Sequence, residues 1–342
     1  MDIAIIGAGV AGLSAAQHLS SLGPKALRIS CFDKGRGPGG RLSGRRAAGG
    51  AIDHGAQYFT VHDKGFQNQV WEWQAAGLVD LYPGIARQHA SGEILMESDQ
   101  PPRWCGSPRM NSPIHHLASQ FQVQWSCRIQ HCQRIASSWW LESDDGHRYG
   151  PYDALIVAIP APQAVDLLGP VPQAADLAAS CRQARLAPCW AAMAWFAPQQ
   201  WANPLTLPWT AAHLDHDPVL SWLAWEQTKP GRQGPPRLLM HAQVAWSREH
   251  LEASPGWVAD RLFAAASRYL PQSALPSELQ AHRWRFARVE QAKGAGPVFD
   301  AAAMLGLAGD WCVDARIEAA WISGRDCVQA LLAALPAQPT QI

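Results

Sequence analysis

Residues 3–12 read Ile-Ala-Ile-Ile-Gly-Ala-Gly-Val-Ala-Gly, an apolar run that enters a G-x-G-x-x-G loop. A second apolar run, Ala26 to Phe32, ends in Asp33, twenty-one residues past Gly12. The spacing predicts one βαβ unit, with strands at 3–6 and 26–32 and a helix from about Val10 to Ser21. Gly7 permits the tight turn, Gly9 lets the backbone approach a diphosphate, and Gly12 lets helix and strand pack closely, with Ala11 in the same first turn. Free N–H groups and the dipole of the helix favour negative charge there. Asp33 stands where an acid accepts hydrogen bonds from ribose hydroxyls, or else caps a turn. The expectation is a bound dinucleotide.

The chain continues Asp33-Lys-Gly-Arg-Gly-Pro-Gly-Gly-Arg-Leu-Ser-Gly-Arg-Arg46. Gly39 and Gly40 followed by Arg41 offer backbone N–H groups and a guanidinium for a second approach to the diphosphate, and Lys34 adds a cation beside Asp33. A plain NAD(P) dehydrogenase has no use for this second loop.

Composition narrows the class. The 342 residues suffice for two domains or one with a large insertion. The 28 basic and 28 acidic residues cancel, which argues against a nucleic acid or an anionic membrane as partner. Charged residues make up 16%, below the usual quarter or so, while the 17 tryptophans suit the walls of an enclosed pocket. Eight cysteines without a C-x-x-C or paired framework read as reduced thiols, and hence as a cytoplasmic chain. His115, His116, His213 and His216 lack matched partners for a metal, so none is expected. The N-terminus carries Asp2 in place of a basic region and is not read as a signal peptide. The longest uncharged apolar stretch, Leu186 to Pro198, is too short to span a bilayer.

Periodicity and turn residues predict helices at 66–76, from Ser112 to about Gln120, at 256–269 and at about 318–334. A β-meander is expected over 122–150, from strands Gln122–Cys127 and Arg134–Glu142 and a turn at Asp144-Asp145-Gly146. Ala154 to Ile159 reads as a buried central strand. Further strands are expected at Trp190–Phe196, Leu220–Trp225, Arg237–Val244 and Leu305–Asp310. The Pro-Ala-Gln-Pro tail, 336–339, is read as disordered.

The βαβ unit, the acid closing its second strand and the following Gly-Gly-Arg resemble flavoproteins akin to monoamine oxidase and phytoene desaturase. His54-Gly-Ala-Gln-Tyr-Phe-Thr60, Ala308-Gly-Asp-Trp311 and Arg316-Ile-Glu-Ala-Ala-Trp-Ile-Ser-Gly324 sharpen this to a resemblance to bacterial renalases. Pro101-Pro-Arg-Trp104, Ser126-Cys-Arg-Ile129, Pro160-Ala-Pro-Gln163, His282-Arg-Trp284 and Ala287-Arg288 are also similar, in order along the chain. The resemblance implies an α/β fold: a Rossmann-like FAD-binding domain interleaved with a mixed α+β substrate domain that closes over the flavin. The expected boundaries are 1–65, 112–165 and 286–342 for the FAD-binding domain, and 66–111 and 166–285 for the substrate domain.

It also implies non-covalent FAD that accepts hydride from misreduced dihydronicotinamides, the 2- and 6-dihydro isomers of NAD(P), with O2 then reduced to H2O2. Ile129, Gly309, Asp310, Glu318, Ala319 and Ala320 would join the glycine loop, Asp33, Lys34, Gly40 and Arg41 around the cofactor. Gln57 and Tyr58 would lie by the isoalloxazine ring. His241, Trp284 and Arg288 would line the substrate cavity. Hydride transfer from a dihydropyridine needs no general base, so the lack of a nucleophile triad or carboxylate pair is consistent. Two positions depart from the pattern: Arg109 precedes Met110 where the resembling proteins have Gly, and Ala319 replaces a Gly. An Arg at a positive φ would be strained. An amine oxidase on a small or polyamine substrate, and a redox-silent nucleotide-binding protein, are the alternatives; no protein partner is expected.

Overall fold

The computed structural model describes residues 1–24, 27–98, 101–197, 209–270, 275–294 and 298–335. Ala26 and the 336–339 tail lie outside them. The chain divides into two compact units: Met1–Gly40 with Ile114–Leu186 and Val289–Ile342, and Arg41–Pro113 with Ala187–Arg288.

The first unit is built on β1 (Asp2–Ile6), α1 (Val10–Leu22) and β2 (Arg28–Phe32). Its six-stranded sheet runs Phe299–Asp300, Leu305–Leu307, Ala154–Val157, β1, β2, Val123–Gln124. β1 is central, with Ile5 opposite Cys31 on one side and Ile156 on the other, both parallel. Ile3, Ala4, Ile5 and Ile6 are buried because the sheet is covered on both faces, which is why the sequence shows a run and not an alternation. The chain leaves β1 toward β2 on one side and returns beside it through Ala154–Val157 on the other. That switch point, at the carboxyl end of β1, is where open α/β sheets bind ligands. The helix Ile317–Ala333 crosses α1 so closely that a Cβ on Gly324 would lie 2.3 Å from the Ala11 carbonyl oxygen.

In the second unit a seven-stranded mixed sheet runs Glu278–Gln291, Arg185–Trp195, Arg237–Ala242, Leu220–Trp225, Ala211–His213, Ile85–Gln88, Ile94–Met96. One face packs on the helix Pro255–Ala266, where Val258, Leu262 and Ala266 meet Trp190, Leu223, Trp225, Leu238 and Met240. That helix starts where Ser254 Oγ accepts from Trp257 N and Pro255 occupies the first turn, both favoured there.

Several expectations are corrected. Residues 41–65 fall in the second unit: a hairpin of β3 (Gly44–Ala47) and β4 (Gly50–Asp53) is tied to its sheet by Trp195 Nε1 on the Gly50 carbonyl, 2.8 Å, and Arg237 Nη1 on the Gly49 carbonyl, 3.1 Å. Residues 166–186 fall in the first unit, because Leu167, Leu168, Leu177 and Cys181 share its core with Trp139 and Leu155. The expected strand Gln122–Cys127 is only Val123–Gln124, and it extends the parallel sheet by pairing with β2. The expected strand Arg134–Glu142 is split by a turn at Ala136, φ 54°, so the meander is Ile129–Ile135, Ser138–Ser143 and Arg148–Tyr152. Two-residue hairpins favour glycine or asparagine at such positive φ, and neither is present to signal the turn.

Candidate functional site

The glycine loop has the shape its spacing predicts. Gly7 has φ 105°, and a Cβ there would sit 2.4 Å from the Ala158 carbonyl oxygen; one on Gly12 would sit 1.8 Å from that of Gly7. Gly9 has open space around its Cβ position, and the nearest heavy atom to a Cβ on Gly40 is the Gly9 Cα at 4.0 Å. The two glycine-rich loops therefore meet beside the start of α1, whose cap residue Gly9 provides no side-chain hydrogen bond and whose first turn holds no acid. A diphosphate fits that cradle: the backbone can be approached, and the helix presents free N–H groups.

Asp33 closes this site. Its Oδ2 accepts from Ala8 N at 2.7 Å and its Oδ1 from Gly35 N at 2.6 Å, which fixes both the loop after β1 and its own turn. Lys34 Nζ reaches Gln163 Oε1 at 3.1 Å, and burial lowers its pKa. Ile129 is a core residue packed with Phe32 and Leu141. Gly309 N donates to Ser323 Oγ at 2.8 Å, which ties the end of strand Leu305–Leu307 to the helix Ile317–Ala333. The Asp310 carboxylate is buried and accepts from Trp311 N at 2.9 Å. Glu318, Ala319 and Ala320 are buried in the first turn of that helix. Among the described residues only Ser126, Ala136 and Met304 combine a side chain with positive φ, so Arg109 carries no such strain.

In the second unit the expected residues gather on one segment, 53–58, which continues β4. Gln57 is buried, and its amide is consumed internally: Nε2 donates to the carbonyls of Asp53 at 2.7 Å and Gly55 at 2.9 Å, and Oε1 accepts from Lys229 Nζ at 2.9 Å. His241 and Trp284 converge on a single atom, the His54 carbonyl oxygen, at 3.2 and 2.9 Å. A carbonyl only accepts, so His241 carries its proton on Nε2. These three residues therefore position the segment. Arg41 joins them through its carbonyl, which accepts from Ala56 N at 2.9 Å.

Tyr58 ends the segment with its hydroxyl 3.2 Å from His213 Nε2, its ring 5.8 Å from that of Trp222, and the Arg103 guanidinium 5.7 Å above it. The sheet explains the grouping. His213 pairs with Trp222, and Trp222 with His241, on adjacent strands, and directly opposed residues share a face. That row lies on the face opposite the helix Pro255–Ala266. Arg288 is exposed, on the same face of its strand as His282 and Trp284 by alternation.

The histidines of this face are neutral at ordinary pH. Burial pulls His54 down to about 3 and His241, His213 and His282 each to about 4. Among the described residues, Glu97 and Asp215 beside this face are matched by cations. Glu97 pairs with Arg87 and Arg103, and Asp215 with Arg87. Beneath the segment, Asp53 pairs with Arg232 and lies 3.5 Å from Lys229, while Glu226 lies 2.9 Å from Lys229 and 2.7 Å from Arg232. Burial opposes ionisation of Asp53, but Lys229 and Arg232 outweigh it and hold the carboxyl below its usual range; burial and Asp53 push Glu226 up.

The sequence reading missed this buried quartet, along with His213, Trp222 and Arg103. One signal was present: Glu226, Lys229 and Arg232 recur at every third position directly after the apolar run Leu220–Trp225, in a chain otherwise poor in charge. Among the described residues no group of three or more His, Cys, Asp and Glu could hold a metal ion.

Residues 5–74 match the model of an NAD(P)-binding Rossmann-like domain. The chain is 22% identical to the renalase of Mus musculus over 304 residues, 84% of this chain and 85% of the mouse protein. Among solved structures it resembles a protein assigned as a protoporphyrinogen oxidase from Exiguobacterium sp., with TM-score 0.73 and 13% identity over 98% of this chain and 99% of the other. It also resembles a putrescine oxidase bound to putrescine, with TM-score 0.70 and 11% identity over 97% and 99%. The chain is thus similar to a renalase over most of its length, and it shares with these solved structures a two-domain α/β fold that contains a Rossmann-like dinucleotide-binding domain.

Proposed function

We propose that the protein is a cytoplasmic, FAD-dependent oxidase that takes hydride from misreduced dihydronicotinamides, the 2- and 6-dihydro isomers of NAD(P). The coarser part, a flavin-dependent oxidoreductase, is supported by the dinucleotide cradle of the first unit together with the renalase likeness. In this reading the cofactor is held without a covalent link. Gly7, Gly9, Ala11, Gly12 and Gly40 cradle its diphosphate, Asp33 and Lys34 stand at its ribose, and Asp310 with the first turn of Ile317–Ala333 serves the remainder. FAD, when bound, supplies the hydride acceptor and passes the electron pair to O2, giving H2O2.

The substrate assignment rests on one observation: the face around Tyr58 is aromatic, its histidines are neutral, and the Arg103 charge above the Tyr58 ring is paired with Glu97. A dihydronicotinamide ring is flat and neutral, and it becomes a pyridinium cation as hydride leaves. Electron-rich rings such as those of Tyr58, Trp222 and Trp284 favour that developing charge, and neutral imidazoles do not oppose it. The chain's own work is to orient the ring, keep water away and hold the histidines uncharged. An amine substrate arrives as a cation and calls for an unmatched carboxylate, whereas Glu97, Asp215, Asp53 and Glu226 are each bonded to Arg or Lys. Among the described residues no helix is long and apolar enough to cross a membrane.

The test is a visible spectrum of the purified protein before and after anaerobic addition of borohydride-treated NAD+, which contains the dihydro isomers. The flavin band should bleach and return with air. A band that persists with dihydronicotinamides but bleaches with putrescine or another amine would overturn the assignment.

A further inference from the structure

We propose that Arg45, with the imidazole of His282, forms an anion site that takes a phosphate group of the substrate. The inference rests on the reading above only in naming the substrate as the source.

Arg45 lies opposite Ile52 in the β3–β4 hairpin, and His54 lies two residues beyond Ile52, so Arg45 and His54 share one hairpin face. Asp53 belongs to the opposite face, beside Gly44, and its carboxylate is committed to Arg232 and Lys229. Arg45 is half-buried, its Nε is fully buried without a hydrogen-bond partner, and among the described residues no carboxylate pairs with its guanidinium. A cation withdrawn from water with no counter-ion is costly, and an incoming anion removes that cost.

Two further groups converge there. The His54 ring stands 4.6 Å from that of His282, which in turn stands 4.4 Å from Trp284. His54 Nδ1 donates to the Ser43 carbonyl at 2.6 Å, which fixes its ring. The His282 ring makes these ring contacts and, among the described residues, no hydrogen bond, so one of its nitrogens is available as a donor. Burial first, and the Arg45 charge second, keep His282 neutral, and a phosphate would reverse that second influence. A guanidinium fork with an adjacent imidazole donor matches phosphate oxygens in number and geometry. Trp284, which touches both histidines, also donates to the His54 carbonyl shared with His241, so the anion site adjoins the segment that presents Tyr58. A substrate that spans the two carries a flat ring and a phosphate, as a dinucleotide does and a simple amine does not.

The experiment is isothermal titration of the FAD-loaded protein with inorganic pyrophosphate, which needs no turnover and so stands apart from the spectral test above. Wild type should bind. Arg45→Gln should keep its flavin and bind about tenfold or more weakly, with Arg45→Lys intermediate. Wild type that binds no pyrophosphate, or an Arg45→Gln variant that binds it equally well, would overturn the site. Should Arg45→Gln purify depleted of flavin while wild-type holoprotein ignores pyrophosphate, the anion is the cofactor's own diphosphate, and the proposal of a substrate phosphate site is overturned.

Discussion

Lys229 and Gln57 stand 172 positions apart in sequence, and the ammonium of one donates to the amide oxygen of the other at 2.9 Å. The contact joins a buried charge quartet to the segment that carries Tyr58, and it gives the buried Gln57 amide oxygen a donor. Replacing Lys229 by Met leaves Asp53 and Glu226 to share one cation and strands the Gln57 oxygen. The expected loss of stability is about 3–5 kcal/mol, typical of breaking a buried ion pair from one side. Denaturant unfolding of the holoprotein measures it; a loss below about 1 kcal/mol would mean the quartet is not what holds the segment.

The glycines separate folding from binding. Gly12→Ala puts a methyl 1.8 Å from the Gly7 carbonyl oxygen, so the helix and the loop must part. Thermal stability and flavin content should both fall. Gly9→Val meets open space in the protein itself, so the apoprotein should melt as wild type does, while the side chain occupies the approach to the diphosphate. The flavin-to-protein absorbance ratio should drop. Retention of full flavin content by Gly9→Val would show that the diphosphate lies elsewhere.

The nucleotide half was legible because its chemistry is local. Gly7, Gly9, Gly12 and Asp33 lie within one βαβ unit, and each answers a constraint visible in its own neighbours. The second unit was less so. His213, Trp222 and His241 meet only through strand register across the sheet, and nothing in a single strand announces its neighbour. The strand Glu278–Gln291 escaped for a related reason: Arg283, Arg285 and Arg288 mix with Trp284 and Phe286, so neither face reads as buried. Gln57, His241 and Trp284 were found by resemblance, but their place as supports of the 53–58 backbone emerges only when their hydrogen bonds are traced.

Tyr58→Phe removes the hydroxyl that meets His213 Nε2 at 3.2 Å and keeps the ring face against Trp222. Loss of one such hydrogen bond should cost about 1 kcal/mol of stability. Flavin should remain bound, because Tyr58 belongs to the second unit and the cradle to the first. Stopped-flow reduction by dihydronicotinamide should slow by about tenfold if the hydroxyl helps to orient the ring. Unchanged reduction kinetics would confine Tyr58 to packing.

The histidines set the acid limit of both stability and turnover. His241 and His282 ordinarily titrate at 6.5, and burial lowers each to about 4 in the folded chain. The unfolded chain therefore takes up protons below pH 6.5 that the folded chain refuses until near pH 4. Stability is at its full value above pH 6.5 and is lost as pH falls through that window, by up to about 3 kcal/mol for His241 alone. Denaturant midpoints at pH 8, 6 and 5 should decline in that order, and His241→Gln should flatten part of the decline. Over the same range the imidazoles stay neutral in the folded chain, so flavin reduction should hold level down to about pH 5 and fail only near pH 4, where charged imidazoles would repel the developing pyridinium. An acid limb centred near 6.5 in single-turnover reduction would mean that these histidines titrate freely, and that the neutral face on which the substrate assignment rests does not exist in solution.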